Sequence, residues 1–178
     1  MRAFWSKKPD YLKAIRSANE LLAIHNVISA PVPVIEIARD EGLSVFSISL
    51  ERYHRLDKPV CAALDIERKL IFIEEKNCHE RQRFSIAHEL GHWRIHPNEL
   101  KDHPKIGIMF RAPIEGETVA IEREANCFAA NLLVPKKLLR YWFARTQNQH
   151  QLAEIFAVSS DVIGWRLKKD RERLSEYP

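Results

Sequence analysis

Apolar positions recur along this chain with two different periods, and the switches between them mark out the elements. Tyr11, Leu12, Ile15, Ala18 and Leu22 repeat at helical spacing and predict an amphipathic helix over roughly Pro9 to Asn26. The Pro31/Pro33 pair breaks the chain, and a short helix over Val34–Glu41 is expected to stop at Gly42. Leu43, Val45, Phe46 and Ile48 read as a strand, and Val60–Leu64 and Lys69–Ile73 as two more, with a turn around Asp65–Arg68. From His79 to His96 the pattern is helical again and halts at Pro97. Asn98 to Gly116 reads as irregular, apart from an apolar patch at Ile106–Phe110. A second strong helix spans about Thr118 to Leu133 and ends at Val134–Pro135. Lys136–Thr146, His150–Ala157 and Ser160–Arg171 predict three short helices. A helix, a small antiparallel sheet and then helices make an α+β domain over residues 1–135 with a helical tail over 136–178.

Charge separates these two parts. Residues 136–178 hold nine Lys/Arg against five Asp/Glu, which accounts for the whole net charge of +4 and leaves residues 1–135 neutral. An electrostatic partner is therefore to be sought at the tail. Hydrophobic residues make up 46% and charged residues 29%, as in an ordinary globular chain. No apolar run approaches the roughly 20 residues that cross a bilayer. Lys7, Lys8, Asp10 and Lys13 interrupt the N-terminal stretch that a signal peptide would keep apolar. Cys61, Cys78 and Cys127 form no CxxC pair and are read as buried apolar residues. These features predict a cytoplasmic protein without membrane or disulfide.

The chemistry concentrates in His88-Glu89-Leu90-Gly91-His92. Residues four apart on a helix share a face, so His88 and His92 can grip one ion, with Glu89 beside them as general base. Composition alone would produce this HExxH pattern only about 0.03 times in such a chain. A catalytic zinc site needs a third protein ligand and an open position. His96 continues the row, but eight residues of helical rise set it about 12 Å from His88. The metzincin pattern fails because Ile95 and Asn98 occupy its Gly and His positions. A carboxylate from the second helix remains. Glu122 shares a face with Asn126 and with Ala125 and Ala129, small residues that permit a close approach. Glu122 is the expected third ligand, Glu124 its competitor, and Asn126 the expected partner of a ligand histidine's other nitrogen. His96, His103 and Arg111 are the candidates for stabilising an oxyanion. A peptide substrate is expected to pair with strand Lys69–Ile73 as an exposed edge.

The stretch from Arg81 to His96 resembles the active-site helix of the ImmA/IrrE metallopeptidases, and Glu122 to Pro135 resembles that family's second signature. The similarity runs over roughly Pro31 to Leu167. It implies a zincin-like fold, a zinc cofactor, and cleavage of a partner transcriptional repressor that controls a mobile element, a prophage or a stress response. The 178 residues are expected to carry neither the repressor-type DNA-binding domain nor the sensor domain of longer members.

In the tail, Leu152, Ala153, Phe156, Ala157, Val158 and Ile163 fit the core of a helix-turn-helix, with Ser159 and Ser160 at the turn and cap. Arg166, Lys168, Lys169, Arg171 and Arg173 supply positive charge. Gly164 inside the would-be recognition helix costs roughly 1 kcal/mol against Ala, so DNA binding is not the favoured role. Beside the peptidase stands one rival from another class, a regulatory protein that sequesters a repressor or toxin partner without cutting it.

Overall fold

The computed structural model describes residues 8–51, 60–102, 108–110 and 119–175. Asp10 opens helix α1 (Tyr11–Ile24), its carboxylate accepting from the Lys13 N–H at 2.9 Å and so satisfying one otherwise unpaired donor. Ala14, Ala18 and Leu21 form the buried stripe of α1. Helix α2 (Val34–Asp40) gives way to Gly42 at φ +83°, a left-handed conformation that glycine adopts without a Cβ clash.

Four strands follow: β1 (Ser44–Ile48), β2 (Val60–Asp65), β3 (Leu70–Glu74) and β4 (Ile108–Phe110). Their spatial order is β1-β3-β2-β4. The β2–β3 pair is antiparallel, closed by an Asx-type turn in which Asp65 Oδ1 accepts from the Arg68 N–H at 2.9 Å. The β2–β4 pair is antiparallel too, whereas β1 joins β3 in parallel, so the sheet is mixed. The cause is topological: β3 returns from β2 into the slot beside β1, running the same way. That placement corrects the expectation for Lys69–Ile73. Strand β3 has a hydrogen-bonded neighbour on both sides and offers no edge to a substrate; the outer strands are β1 and β4.

Helix α3 (His79–Ile95) packs against β2 and β3 of the sheet and against α1, α2 and α5 (Val119–Leu133). Pro97 does end α3, but it starts a new short helix, α4 (Pro97–Asp102), where an irregular chain was expected. Proline fits the first helical position because its missing N–H would be unpaired there anyway. Residues 108–110 of the expected apolar patch form β4, while 106 and 107 lie outside the described residues. Helices α6 (Lys136–Phe143), α7 (Gln149–Phe156) and α8 (Ser160–Ser175) complete the chain.

One buried apolar cluster runs through both parts of the molecule. It joins Ile71, Ile73, Ile86, Leu90 and Phe128 to Leu139, Leu152, Phe156 and Ile163. Two buried arginines add polar ties. Arg83 of α3 donates to Val32 O at 2.7 Å and to Ala157 O at 3.1 Å. Arg166 of α8 donates to Val134 O at 3.1 Å. Cys61 and Cys127 are buried as expected, but Cys78 is exposed, because it occupies the surface position just before α3. Among the described residues, no helix is long and apolar enough to cross a membrane.

Candidate metal centre

The centre is built where α3 crosses α5. His88, Glu89 and His92 are fully buried on α3, while Glu122, in the first turn of α5, keeps about a third of its side chain exposed (29%). The crossing is tight because both helices present small residues. Gly91 of α3 packs directly against Phe128 of α5, and Ala87 of α3 and Ala125 and Ala129 of α5 are buried as well.

This approach brings three Lewis-basic groups together. His88 Nε2 and His92 Nε2 stand 3.0 Å apart. Glu122 reaches both, Oε2 to His88 Nε2 at 3.2 Å and Oε1 to His92 Nε2 at 3.3 Å. One ligand atom from each of the three lies within 4.8 Å of the others. Two imidazole nitrogens facing each other across a carboxylate is the donor set that a divalent cation requires. Asn126, one turn after Glu122, turns its Oδ1 to His88 Nδ1 at 3.0 Å.

Glu89 differs from its neighbours. Both of its carboxyl oxygens are buried and, among the described residues, without a hydrogen-bond partner. Burial raises the carboxyl to about 8, and the Glu122 charge adds to the rise against the opposing pull of His88. Burial would also raise Glu122, yet His92 and His88 outweigh it and hold that carboxyl well below the ordinary range. Burial works to lower both histidines. It prevails at His92, whereas at His88 the hydrogen bond and charge of Glu122 overcome it and raise the pKa.

His96 and Glu124 do not join the three-residue cluster. His96 sits just past the end of α3, and its Nε2 meets Glu124 Oε2 at 2.8 Å. Its Nδ1 lies 3.2 Å from His92 Nδ1, on the side of His92 away from the cluster. Burial, helped by the neighbouring His92 and Lys13, pushes the His96 pKa down to about 2 and keeps the ring neutral. Glu124 also accepts from the Asp10 N–H at 2.7 Å, and Lys13 Nζ donates to Ile95 O at 2.7 Å. His96 and Glu124, both candidate ligands by spacing, instead touch each other, and the predicted N-terminal helix α1 reaches them, a contact that local spacing does not show. A signal was present in part: His96 is one helical turn past His92, and Glu124 lies on the far side of α5 from Glu122. Nothing in the sequence ties Asp10 to Glu124, 114 residues away.

Two of the three expected oxyanion candidates, His103 and Arg111, lie outside the described residues, as do the side chains of Arg171 and Arg173. Of the tail's other basic residues, Lys168 and Lys169 are exposed. Arg166 is spent on a backbone carbonyl and is buried.

A model of the IrrE N-terminal-like domain (Peptidase_M78) matches residues 38–168. A solved structure, a Mycobacterium tuberculosis transcriptional regulator, has the same fold with a TM-score of 0.62 at 18% identity. The match covers 88% of this chain and 46% of the other, so the chain spans about half the length of that regulator. No curated protein sequence matches.

Proposed function

Because the chain belongs to the IrrE N-terminal-like (Peptidase_M78) family, whose fold is zincin-like, we propose that it is a zinc-dependent endopeptidase that cuts a partner transcriptional repressor in the cytoplasm. The observation that carries this reading is the convergence of His88 Nε2, His92 Nε2 and the Glu122 carboxylate beside the unpartnered carboxyl of Glu89. His88, His92 and Glu122 would hold the ion, and two imidazoles with one carboxylate suit zinc best among the common divalent metals. Bound there, zinc supplies Lewis acidity, polarising a scissile carbonyl and acidifying a water.

The remaining work falls to the chain. Glu89 accepts a proton from the attacking water at one carboxyl oxygen and delivers it to the leaving amide nitrogen. Its carboxyl oxygens find no hydrogen-bond donor among the described residues, which supports this role. Asn126 Oδ1 accepts from His88 Nδ1–H, which leaves the His88 Nε2 lone pair facing the cluster. The tail's described helices, α6 to α8, act as a helix-turn-helix-like unit, with protein docking preferred to DNA binding. The burial of Arg166 supports that preference by removing one of the five cations. The repressor substrate follows the activity that the family resemblance implies.

The test uses the full chain, supplied with zinc and incubated with a library of proteome-derived peptides, with new N-termini read by mass spectrometry. New termini made by the wild type and absent with Glu89→Gln support the peptidase. One bound zinc per chain with no new termini overturns it in favour of the sequestering regulator.

A further inference from the structure

Resting on the metal-site reading above, we infer that Glu124 and His96 form a buried relay that sets the tautomer of His92, making both of them positioning residues for the metal centre. The argument is one of proton bookkeeping along three contacts. Glu124 Oε1 accepts from the Asp10 N–H at 2.7 Å. Glu124 Oε2 lies 2.8 Å from His96 Nε2, and His96 Nδ1 lies 3.2 Å from His92 Nδ1. All three side chains are more than nine-tenths buried, so water cannot repair a mismatched contact.

A carboxylate only accepts hydrogen bonds. His96 must therefore carry its proton on Nε2, facing Glu124. A neutral imidazole has one N–H, so His96 Nδ1 is bare and accepts. The N–H in the His92–His96 contact then belongs to His92 Nδ1. That leaves His92 Nε2 with a free lone pair, aimed at His88 Nε2 and at Glu122. The reverse polarity sets a bare His96 Nε2 against a carboxylate oxygen at 2.8 Å, two acceptors in a dry interior. Every donor in the first arrangement meets an acceptor, and the arrangement ends on a nitrogen ready for a cation.

The contrast with His88 sharpens the assignment. Its partner Asn126 is an exposed amide, which can present either an oxygen or an NH₂. Asn126 can accommodate either tautomer of His88, whereas Glu124, acting through His96, permits only one for His92. The N-terminal helix thereby enters the site's chemistry: the Asp10 amide fixes the carboxylate, and Lys13 ties α1 to the end of α3 at Ile95 O. Such outer partners typically govern metal affinity by about 10–100-fold.

Two measurements on the full chain test the relay. The first is long-range ¹H–¹⁵N NMR of the imidazoles in metal-free wild type at pH 8, which distinguishes Nδ1–H from Nε2–H. We expect His92 to be the Nδ1–H tautomer and His96 the Nε2–H tautomer; His92 protonated on Nε2 overturns the relay with no variant needed. The second is zinc affinity, by competition with a chromophoric chelator, for wild type and Glu124→Gln, whose amide no longer dictates polarity. We expect zinc binding to weaken about 10–100-fold and the His92 resonances to become a tautomer mixture. Unchanged affinity and tautomer in a folded Glu124→Gln overturn the relay and leave the metal reading standing. A wild type that takes up no zinc overturns the metal reading itself, and the relay's purpose with it.

Discussion

Gly91 and Phe128 stand so close that a Cβ on the glycine would lie 2.9 Å from the phenylalanine Cδ1, and 3.2 and 3.3 Å from its Cγ and Cβ. The near atoms include the root of the ring, which is fully buried, so the side chain cannot swing aside. Helix propensity alone would favour Ala at position 91 by about 1 kcal/mol. Overpacking of this kind costs about 1–3 kcal/mol and should win. The strain has only one outlet, a small separation of α3 from α5, and Glu122 rides on α5. Gly91→Ala should therefore lower stability by up to about 2 kcal/mol in urea denaturation and weaken zinc binding as well. A variant that gains stability and binds zinc as tightly as wild type would show that the helices have room to spare.

Glu122 and Glu124 should separate cleanly by metal content. Glu122 touches both histidine Nε2 atoms, and Glu124 touches neither. Elemental analysis after dialysis should find about one zinc per wild-type chain, as three protein ligands imply. Glu122→Ala should retain almost none, and Glu124→Ala should reload when zinc is supplied in excess. Equal loss from the two variants would remove the distinction between a ligand and a residue acting through His96.

The parts of this architecture written in local spacing were legible in the sequence. His88 and His92 lie four apart on one helix, and the face shared by Glu122, Asn126, Ala125 and Ala129 needs only the helical period. What was illegible depends on long-range placement. The parallel pairing of β1 with β3 follows from where β3 inserts, and the strand pattern of residues 69–73 is the same for an edge and an interior strand. Helix α4 was missed because Pro97 stops one helix and suits the first turn of another equally well. Local spacing assigns Asp10 no partner, since its contact with Glu124 spans 114 residues.

Arg83 should matter to the fold far more than its charge suggests. Its guanidinium is the donor for Val32 O before α2 and for Ala157 O in the α7–α8 turn. Arg83→Met keeps most of the stem's bulk, removes the side-chain donor of Ala157 O, and leaves Val32 O with only the Val34 N–H. At roughly 1–3 kcal/mol for the orphaned Ala157 O and about 0.5–1.5 kcal/mol for the bond lost at Val32 O, the loss should total about 1.5–4.5 kcal/mol. Arg145→Met is the control: that side chain is exposed, donating to Tyr141 O and covering the Tyr141 ring, and its loss should cost under about 1 kcal/mol. Midpoints in urea at constant slope would measure both, and equal midpoints would deny Arg83 its anchoring role.

Glu89 should reveal itself in the metal-free protein through the pH dependence of stability. Its carboxyl is held at about 8 by burial, against 4.5 for the ordinary side chain. Between those values the folded protein keeps a proton that the unfolded chain gives up. The stability that this proton contributes is complete below pH 4.5 and is lost as pH rises through 8. Glu89→Gln has no such proton, so its advantage over wild type in chelator should widen by about 1.4 kcal/mol per pH unit, reaching on the order of 3 kcal/mol at pH 7. Groups common to both proteins cancel in the difference. Zinc should shrink the gap, because a nearby cation favours the carboxylate and offsets its burial. Parallel profiles for the two metal-free proteins from pH 6 to 8.5 would mean that Glu89 ionises as freely as an exposed carboxyl, and a base held dry and unpartnered beside the cluster would no longer describe the site.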